Sequence, residues 1–214
     1  MKFLITSGPT REYLDPVRFV SNGSSGRMGA ALAEAVFKRG HQAIIVSGPV
    51  VAVYPKEAEV HWVETTDEML RKSEELFPDC DMLIGAAAPS DFRPIVASSQ
   101  KIPKGRLTLE LTETPDILAT LGAKKAPHQR ILAFALETTD GRNHALQKLR
   151  KKNADWIALN SPDTINSDTV SLELIAAYGQ TIRMLQGEKN RVAELLIDDL
   201  LGLQHNCSEG TPSL

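Results

Sequence analysis

Short runs of aliphatic and β-branched residues, with stretches of helical spacing set between them, constrain this chain more than any other feature. Lys2–Ser7 reads as a buried strand that starts at once. His41–Ser47, Val60–Glu64, Asp81–Ala88, Ile131–Glu137 and Trp156–Asn160 read as further strands. Ser24–Arg39 carries Met28, Leu32, Ala35 and Val36 at helical spacing, with Gly40 as its stop. Thr66–Phe77, Pro115–Gly122 and Asp140–Asn153 also read as helices, the second with Pro115 at its first position. Val170–Leu185 reads as a hairpin turning near Gly179, and Gly187–Leu201 as a closing amphipathic helix. The alternation predicts an α/β fold: a Rossmann-like, mostly parallel sheet flanked by helices, with a β-hairpin excursion near the C-terminus. Without repeats or linkers, residues 1–203 read as one domain and 204–214 as a polar, disordered tail.

Composition removes several function classes. Lys and Arg number 24 against 27 Asp and Glu, a net charge of -3, so a broadly basic nucleic-acid surface is not expected. No apolar run approaches the about 20 residues of a membrane span, and the first residues turn polar too soon for a signal peptide. Cys80 and Cys207 alone cannot build a disulfide framework or a multi-cysteine metal site, and a reducing cytoplasm fits them. His41, His61, His128, His144 and His205 show no metal or triad spacing. Ser24 and Ser25 lack a paired base in their motif, so a serine hydrolase is not indicated.

In a doubly wound sheet, ligands bind beyond the carboxyl ends of the strands, where chain order reverses. Residues that follow strands therefore carry the functional information. After the first strand comes Gly8-Pro9-Thr10-Arg11-Glu12, then Asp15-Pro16-Val17-Arg18-Phe19, then Ser21-Asn22-Gly23-Ser24-Ser25-Gly26-Arg27-Met28-Gly29 opening a helix. Free backbone amides and the positive end of a helix dipole converge in such a loop and suit an anion. An ordinary serine N-cap flanked by turn glycines is the plainer alternative. The spacing of Gly23, Gly26 and Gly29 is neither the dinucleotide fingerprint nor a Walker loop.

These runs resemble the phosphopantothenoylcysteine synthetase family, the ligases of coenzyme A biosynthesis. The resemblance spans about residues 2 to 201. Pro9 stands where the family usually has Gly, and it lacks an amide N–H. Ala86-Ala87-Ala88-Pro89-Ser90-Asp91 is similar to the family's strand end Ala-Ala-Val-Ser-Asp, with Pro89 as a departure. On its own the segment is equally a strand end with an Asp-capped turn. Lys101 lies ten residues beyond Asp91, the spacing of the family's lysine-rich flap, although Pro103 interrupts the rest of that pattern. Thr114-Pro115-Asp116-Ile117-Leu118, Ala133-Phe134-Ala135-Leu136-Glu137-Thr138 and Asn166-Ser167-Asp168 are further matches. Lys148 and Lys152 share one helix face, which alone would be a solvated charge run; the family's helix carries nucleotide-binding lysines there.

The resemblance implies a bacterial-type ligase. It would join 4'-phosphopantothenate and L-cysteine through an acyl-CMP intermediate with release of pyrophosphate. CTP is expected ahead of ATP, with Mg2+ carried on the nucleotide, no dedicated protein metal site and no flavin. By the same resemblance, Gly8, Ser24, Gly26, Gly29, Phe134 and Asn160 would contact the nucleotide, with Pro115, Asp116, Ile117, Leu118, Lys148 and Lys152 completing its pocket. Asn22, Ala87, Ala88 and Asp91 would hold phosphopantothenate, and Arg18 would reach its phosphate from the second subunit of a homodimer. Asn22 and Lys101 would be catalytic. Many relatives are fused behind a flavin-dependent decarboxylase; beginning at its first strand, this chain is expected to be the stand-alone ligase half. Two other classes stay open: an inactive Rossmann-like nucleotide-binding module, and an NAD(P)-dependent reductase.

Overall fold

The structure, a computed structural model, describes residues 1–137, 140–160 and 168–208, with side chains through 204. Along the chain come β1 (Lys2–Ser7), β2 (Arg11–Tyr13), β3 (Phe19–Ser21), α1 (Arg27–Lys38), β4 (Gln42–Ser47), β5 (Glu59–Trp62) and α2 (Thr66–Leu76). There follow β6 (Met82–Gly85), β7 (Phe92–Pro94), β8 (Leu111–Glu113), α3 (Ile117–Lys124), β9 (Arg130–Leu136) and α4 (Gly141–Lys151). The chain then forms β10 (Trp156–Asn160), β11 (Thr169–Ala176), β12 (Thr181–Glu188) and α5 (Lys189–Ser208).

One eight-stranded sheet has the order β12-β11-β10-β9-β6-β1-β4-β5. Six strands run parallel, and β11 and β12 join antiparallel at one edge. The expected Rossmann-like sheet with a C-terminal hairpin is the fold observed. β1 is central, with Ile5 opposite Ile45 on one side and Ile84 on the other. The chain winds outward from β1 in both directions, so its order reverses between β1 and β6.

Strand geometry explains the two cores. Successive side chains point to opposite faces, so Phe3 and Ile5 join α1 and α5 residues on one side, while Leu4 joins α2, α3 and α4 residues on the other. A run buried on both faces must be apolar throughout, as Phe3, Leu4 and Ile5 are at zero exposure. Arg39 locks α1 to α5 through the Asp198 carboxylate and the Glu194 carbonyl. Helix α2 starts on a capping box, in which the Thr65 hydroxyl accepts from the Glu68 amide and the Glu68 carboxylate accepts from the Thr65 amide.

Several boundaries differ from the sequence reading. Helix α1 begins at Arg27 rather than Ser24, because Gly26 takes the left-handed conformation (φ 72°) and serves as its N-cap. The serine-cap alternative therefore does not hold. Pro115 is not the first helical residue of α3; Asp116 is the N-cap, and its carboxylate accepts from the Ala119 amide at 3.1 Å. Strand β12 runs through Gly187 to Glu188, so the last helix starts at Lys189. That helix continues to Ser208, past the expected start of the tail at 204, and Leu203 still packs against the core. The short strands β2 with β3 and β7 with β8 form two separate ribbons in segments read as loops. Thr138, Asn166 and Ser167 lie outside the described residues.

Candidate active site

A cavity of about 890 Å³ opens at the carboxyl ends of β1, β6, β9 and β10, across the point where strand order reverses. Thr6 and Gly85 form its floor at the ends of β1 and β6. Helix α1 points its N-terminus into it, and Ser24, Gly26 and Gly29 line that side. The first-turn amides of a helix have no carbonyl partner within it, so this wall presents donors. The glycine at 29 is a packing requirement: a Cβ there would lie 2.1 Å from the Ser7 hydroxyl. Helix α1 can sit this close to β1 only without a side chain.

The segment after β6 supplies Ala87, Ala88 and Asp91. A buried hydroxyl knot fixes it. The Thr10 hydroxyl meets that of Thr66 at 2.8 Å and accepts from the Ser90 amide at 2.8 Å. The Ser90 carbonyl accepts from the Thr114 hydroxyl at 2.6 Å, and the Asp91 carbonyl accepts from the Thr114 amide at 3.0 Å. Asn22 donates its amide to the Pro89 carbonyl at 2.8 Å, bringing the glycine-serine loop to the same segment. Pro9, despite its missing N–H, forms a bridge with Ala88, whose amide donates to the Gly8 carbonyl at 2.9 Å.

The opposite wall is cationic. Pro115, Asp116, Ile117 and Leu118 at the start of α3 face Lys148 and Lys152 of the α4 end, with Phe134 and Asn160 from β9 and β10 beside them. Lys152 Nζ lies 2.7 Å from Asp116 Oδ1, and Lys148 Nζ lies 2.6 Å from Glu137 Oε1. Burial pushes the Asp116 carboxyl up, but the hydrogen bond and charge of Lys152, the Ala119 amide and Lys151 outweigh it and hold the group below the usual carboxylate range. Cys80, at the opposite end of β6, is buried and its thiol is pushed up to about 11, chiefly by desolvation. It is no nucleophile for this cavity.

Three residues expected at the site lie outside the cavity: Gly8, Arg18 and Lys101. Arg18 donates to the Ile102 carbonyl at 2.8 Å, beside the buried Asp15 carboxylate, which accepts from the amides of Val17, Arg18 and Ile102. Lys101 is exposed on this tethered segment. Conversely, Arg27, Lys151 and Lys189 line the cavity without having been assigned a role. Arg27 stood within the quoted run and Lys151 within the charge run. Lys189 carried no local signal, because the hairpin that delivers it reaches the site from the far end of the chain.

Among the described residues, no three His, Cys, Asp or Glu side chains gather as a metal-binding group, and no helix is long and apolar enough to cross a membrane.

Residues 1–203 match the family described as DNA/pantothenate metabolism flavoprotein C-terminal domain. The coenzyme A biosynthesis bifunctional protein CoaBC of Escherichia coli K12 is 35% identical over 210 residues, covering 94% of this chain and 52% of that protein. A protein described as cysteine/cysteine sulfinic acid decarboxylase, from an unknown prokaryotic organism, is 43% identical over 164 residues, 75% of this chain and 45% of that one. The chain thus spans about half the length of the curated relatives it matches. The crystal structure of the C-terminal domain of CoaBC superposes with a TM-score of 0.83 at 35% identity, covering 96% of each chain. A Cab2 mutant in complex with phosphopantothenate-cysteine superposes with a TM-score of 0.78 over 96% of this chain and 86% of that one; at 19% identity it shows the fold alone.

Proposed function

We propose, for a chain that belongs to the DNA/pantothenate metabolism flavoprotein C-terminal domain family, that it is the ligase that joins 4'-phosphopantothenate to L-cysteine. The observation that carries this reading is the cavity itself. It joins a helix N-terminus, a lysine wall and the Asn22–Ala87–Ala88–Asp91 surface in one space large enough for a nucleotide and a second substrate.

A carboxylate is a poor electrophile and needs a leaving group. In the proposed first step a carboxylate oxygen of phosphopantothenate attacks the α-phosphorus of CTP. The bond to the β-phosphate breaks, and pyrophosphate leaves with the electron pair. In the second step the neutral cysteine amine attacks the acyl carbon, the bond to the phosphate oxygen breaks, and CMP leaves as the amine loses a proton. The α1 amides and Gly26 face the phosphates, where fixed dipoles stabilise charge without reorganising. Asn22 releases Pro89 and donates to the acyl oxygen. Lys101 closes over the phosphates from its exposed segment. Lys148 and Lys152 hold the base and ribose end. Mg2+ would be carried on the triphosphate and would supply positive charge to its oxygens.

A homodimer belongs to this reading. Val17, Phe19, Phe92, Ile95, Val96 and Leu111 are exposed apolar side chains around the two small ribbons, a surface suited to a second copy. Arg18, in the same region and outside its own cavity, would serve the partner's substrate phosphate. A cytoplasmic setting goes with the reaction.

The reductase alternative finds little support. Strand β4 ends in Ser47 rather than an acidic ribose reader, and Val50 packs against Gly26, where a Cβ would meet it at 2.9 Å.

The test is pyrophosphate release with 4'-phosphopantothenate and either CTP or ATP, with and without cysteine. CTP is expected to support turnover at least tenfold better, roughly 1.4 kcal/mol of discrimination. Equal or better turnover with ATP removes the CTP assignment. Nucleotide binding without any pyrophosphate release favours the inactive module.

A further inference from the structure

Of the three cavity cations that hold no substrate in the proposed reaction, Arg27 and Lys189 lie together. Arg27 is the first residue of α1 and Lys189 the first residue of α5. Both line the nucleotide cavity, and both also line a second cavity of about 790 Å³ behind it. They therefore form the partition between the two spaces. Asp168 joins them: its carboxylate lies 2.5 Å from Arg27 Nη1, and its carbonyl accepts from the Lys189 amide at 3.0 Å. The Asp168 side chain is 87% exposed. An ion pair open to water contributes little and gives up its partner readily. Glu34, Glu57 and Glu188 line the second cavity but not the first.

The local field favours an anion of more than one charge. Desolvation, then the neighbouring Arg27 charge, lowers the Lys189 ammonium below its usual range, with Asp168 opposing. Among the described residues, the Asp168 carboxylate pairs with Arg27 beside the N-terminus of α1, and Glu34, Glu57 and Glu188 line only the cavity behind the partition. A planar guanidinium and a point-charge ammonium together suit clustered phosphate oxygens.

We infer that Arg27 and Lys189 form the seat of the β- and γ-phosphates, the part of the triphosphate that leaves as pyrophosphate. The inference rests on the nucleotide-activating reaction proposed above. When the bond between the α-phosphorus and the bridging oxygen breaks, the electron pair stays on the departing pyrophosphate, and both cations stabilise the charge gained there. Arg27 exchanges its Asp168 contact for phosphate oxygens as the triphosphate enters.

Calorimetric titration of the full chain and of Arg27→Gln and Lys189→Gln with CTP, CMP and inorganic pyrophosphate tests this. Each variant is expected to weaken CTP and pyrophosphate about tenfold or more, the value of one lost charge-assisted contact, while CMP affinity stays within about twofold. Lys189→Arg is expected to recover most of the loss. Equal weakening of CTP and CMP, or unchanged CTP affinity in either folded variant, overturns the seat. Circular dichroism of each variant shows whether it has folded, and either variant alone suffices to decide. Failure of the reaction itself is read separately: wild-type protein that releases no pyrophosphate with phosphopantothenate refutes the ligase reading, whatever the titrations show.

Discussion

The two walls of the main cavity meet the same demand for positive charge by different means. The α1 wall is backbone: Gly26 turns the chain into the helix, and Gly29 seats that helix against Ser7. The α3–α4 wall is side chain: Lys148 and Lys152 rest on Glu137 and Asp116. Backbone dipoles are fixed when the strand and helix pack, so a ligand pays nothing to orient them. Paired lysines must share their charge between a carboxylate and the ligand. The difference teaches that reaction geometry resides in the first wall and adjustable affinity in the second.

The most damaging change is expected on the backbone wall. Gly29→Ala places a Cβ 2.1 Å from the Ser7 hydroxyl, so α1 must move away from β1. Overpacking of this kind costs about 1–3 kcal/mol, and a displacement near 1 Å lowers turnover about 10²-fold. Urea denaturation and pyrophosphate release measure the two effects. A stable variant with wild-type turnover would break the comparison, because the wall would then be as adaptable as its opposite.

Asn22→Ala sharpens it within the same wall. The variant loses one side-chain donor while the α1 amides remain. Cysteine capture is expected to slow by about 10²-fold, with a smaller effect on activation. Quenched-flow with labelled CTP should show acyl-CMP accumulating and discharging slowly. Equal slowing of both steps makes Asn22 a positioning residue through its Pro89 contact, and no change leaves it a turn residue.

The smallest effect belongs to the lysine wall. Asn can still cap α3, so Asp116→Asn removes chiefly the pairing with Lys152, a loss of about 1 kcal/mol or less. The native Asp116 pKa lies below its unfolded value. Its contribution is therefore complete above the ordinary carboxylate pKa and is lost as pH falls through the depressed native value. Urea midpoints of wild type and variant should differ at pH 7 and converge in acid. A gap that persists at low pH would mean that Asp116 acts through packing rather than charge.

The sheet was legible because its central strands are buried on both faces and so must be continuously apolar; Phe3-Leu4-Ile5 and Met82-Leu83-Ile84 announce themselves. Caps were less legible. Pro115-Asp116 offers two competing helix starts, and the carboxylate contact with Ala119 selects the second. The ribbons β2–β3 and β7–β8 carry no signal in the sequence because strands of three residues are too short to show a periodicity. Most of the cavity was reachable from runs that follow strands, such as Asn22 to Gly29 and Ala87 to Asp91. The partition was not. Arg27 and Lys189 sit at opposite ends of the chain, and only the packing of α1 on α5 brings them together.

The hydroxyl knot of Thr10, Thr66 and Ser90 has a consequence for how such a chain can change over generations. Each of the three is buried, and each satisfies a polar group of another. Losing the Thr10 hydroxyl alone would strand the Ser90 amide away from water, at about 1–3 kcal/mol for a group left so, and would leave the Thr66 hydroxyl only its long 3.4 Å contact with the Ser90 carbonyl. A lineage that loses one of these groups carries that cost until another position compensates. Three residues spread over three segments are thus coupled in what they tolerate, and the loop that carries Asp91 is tied to that coupling.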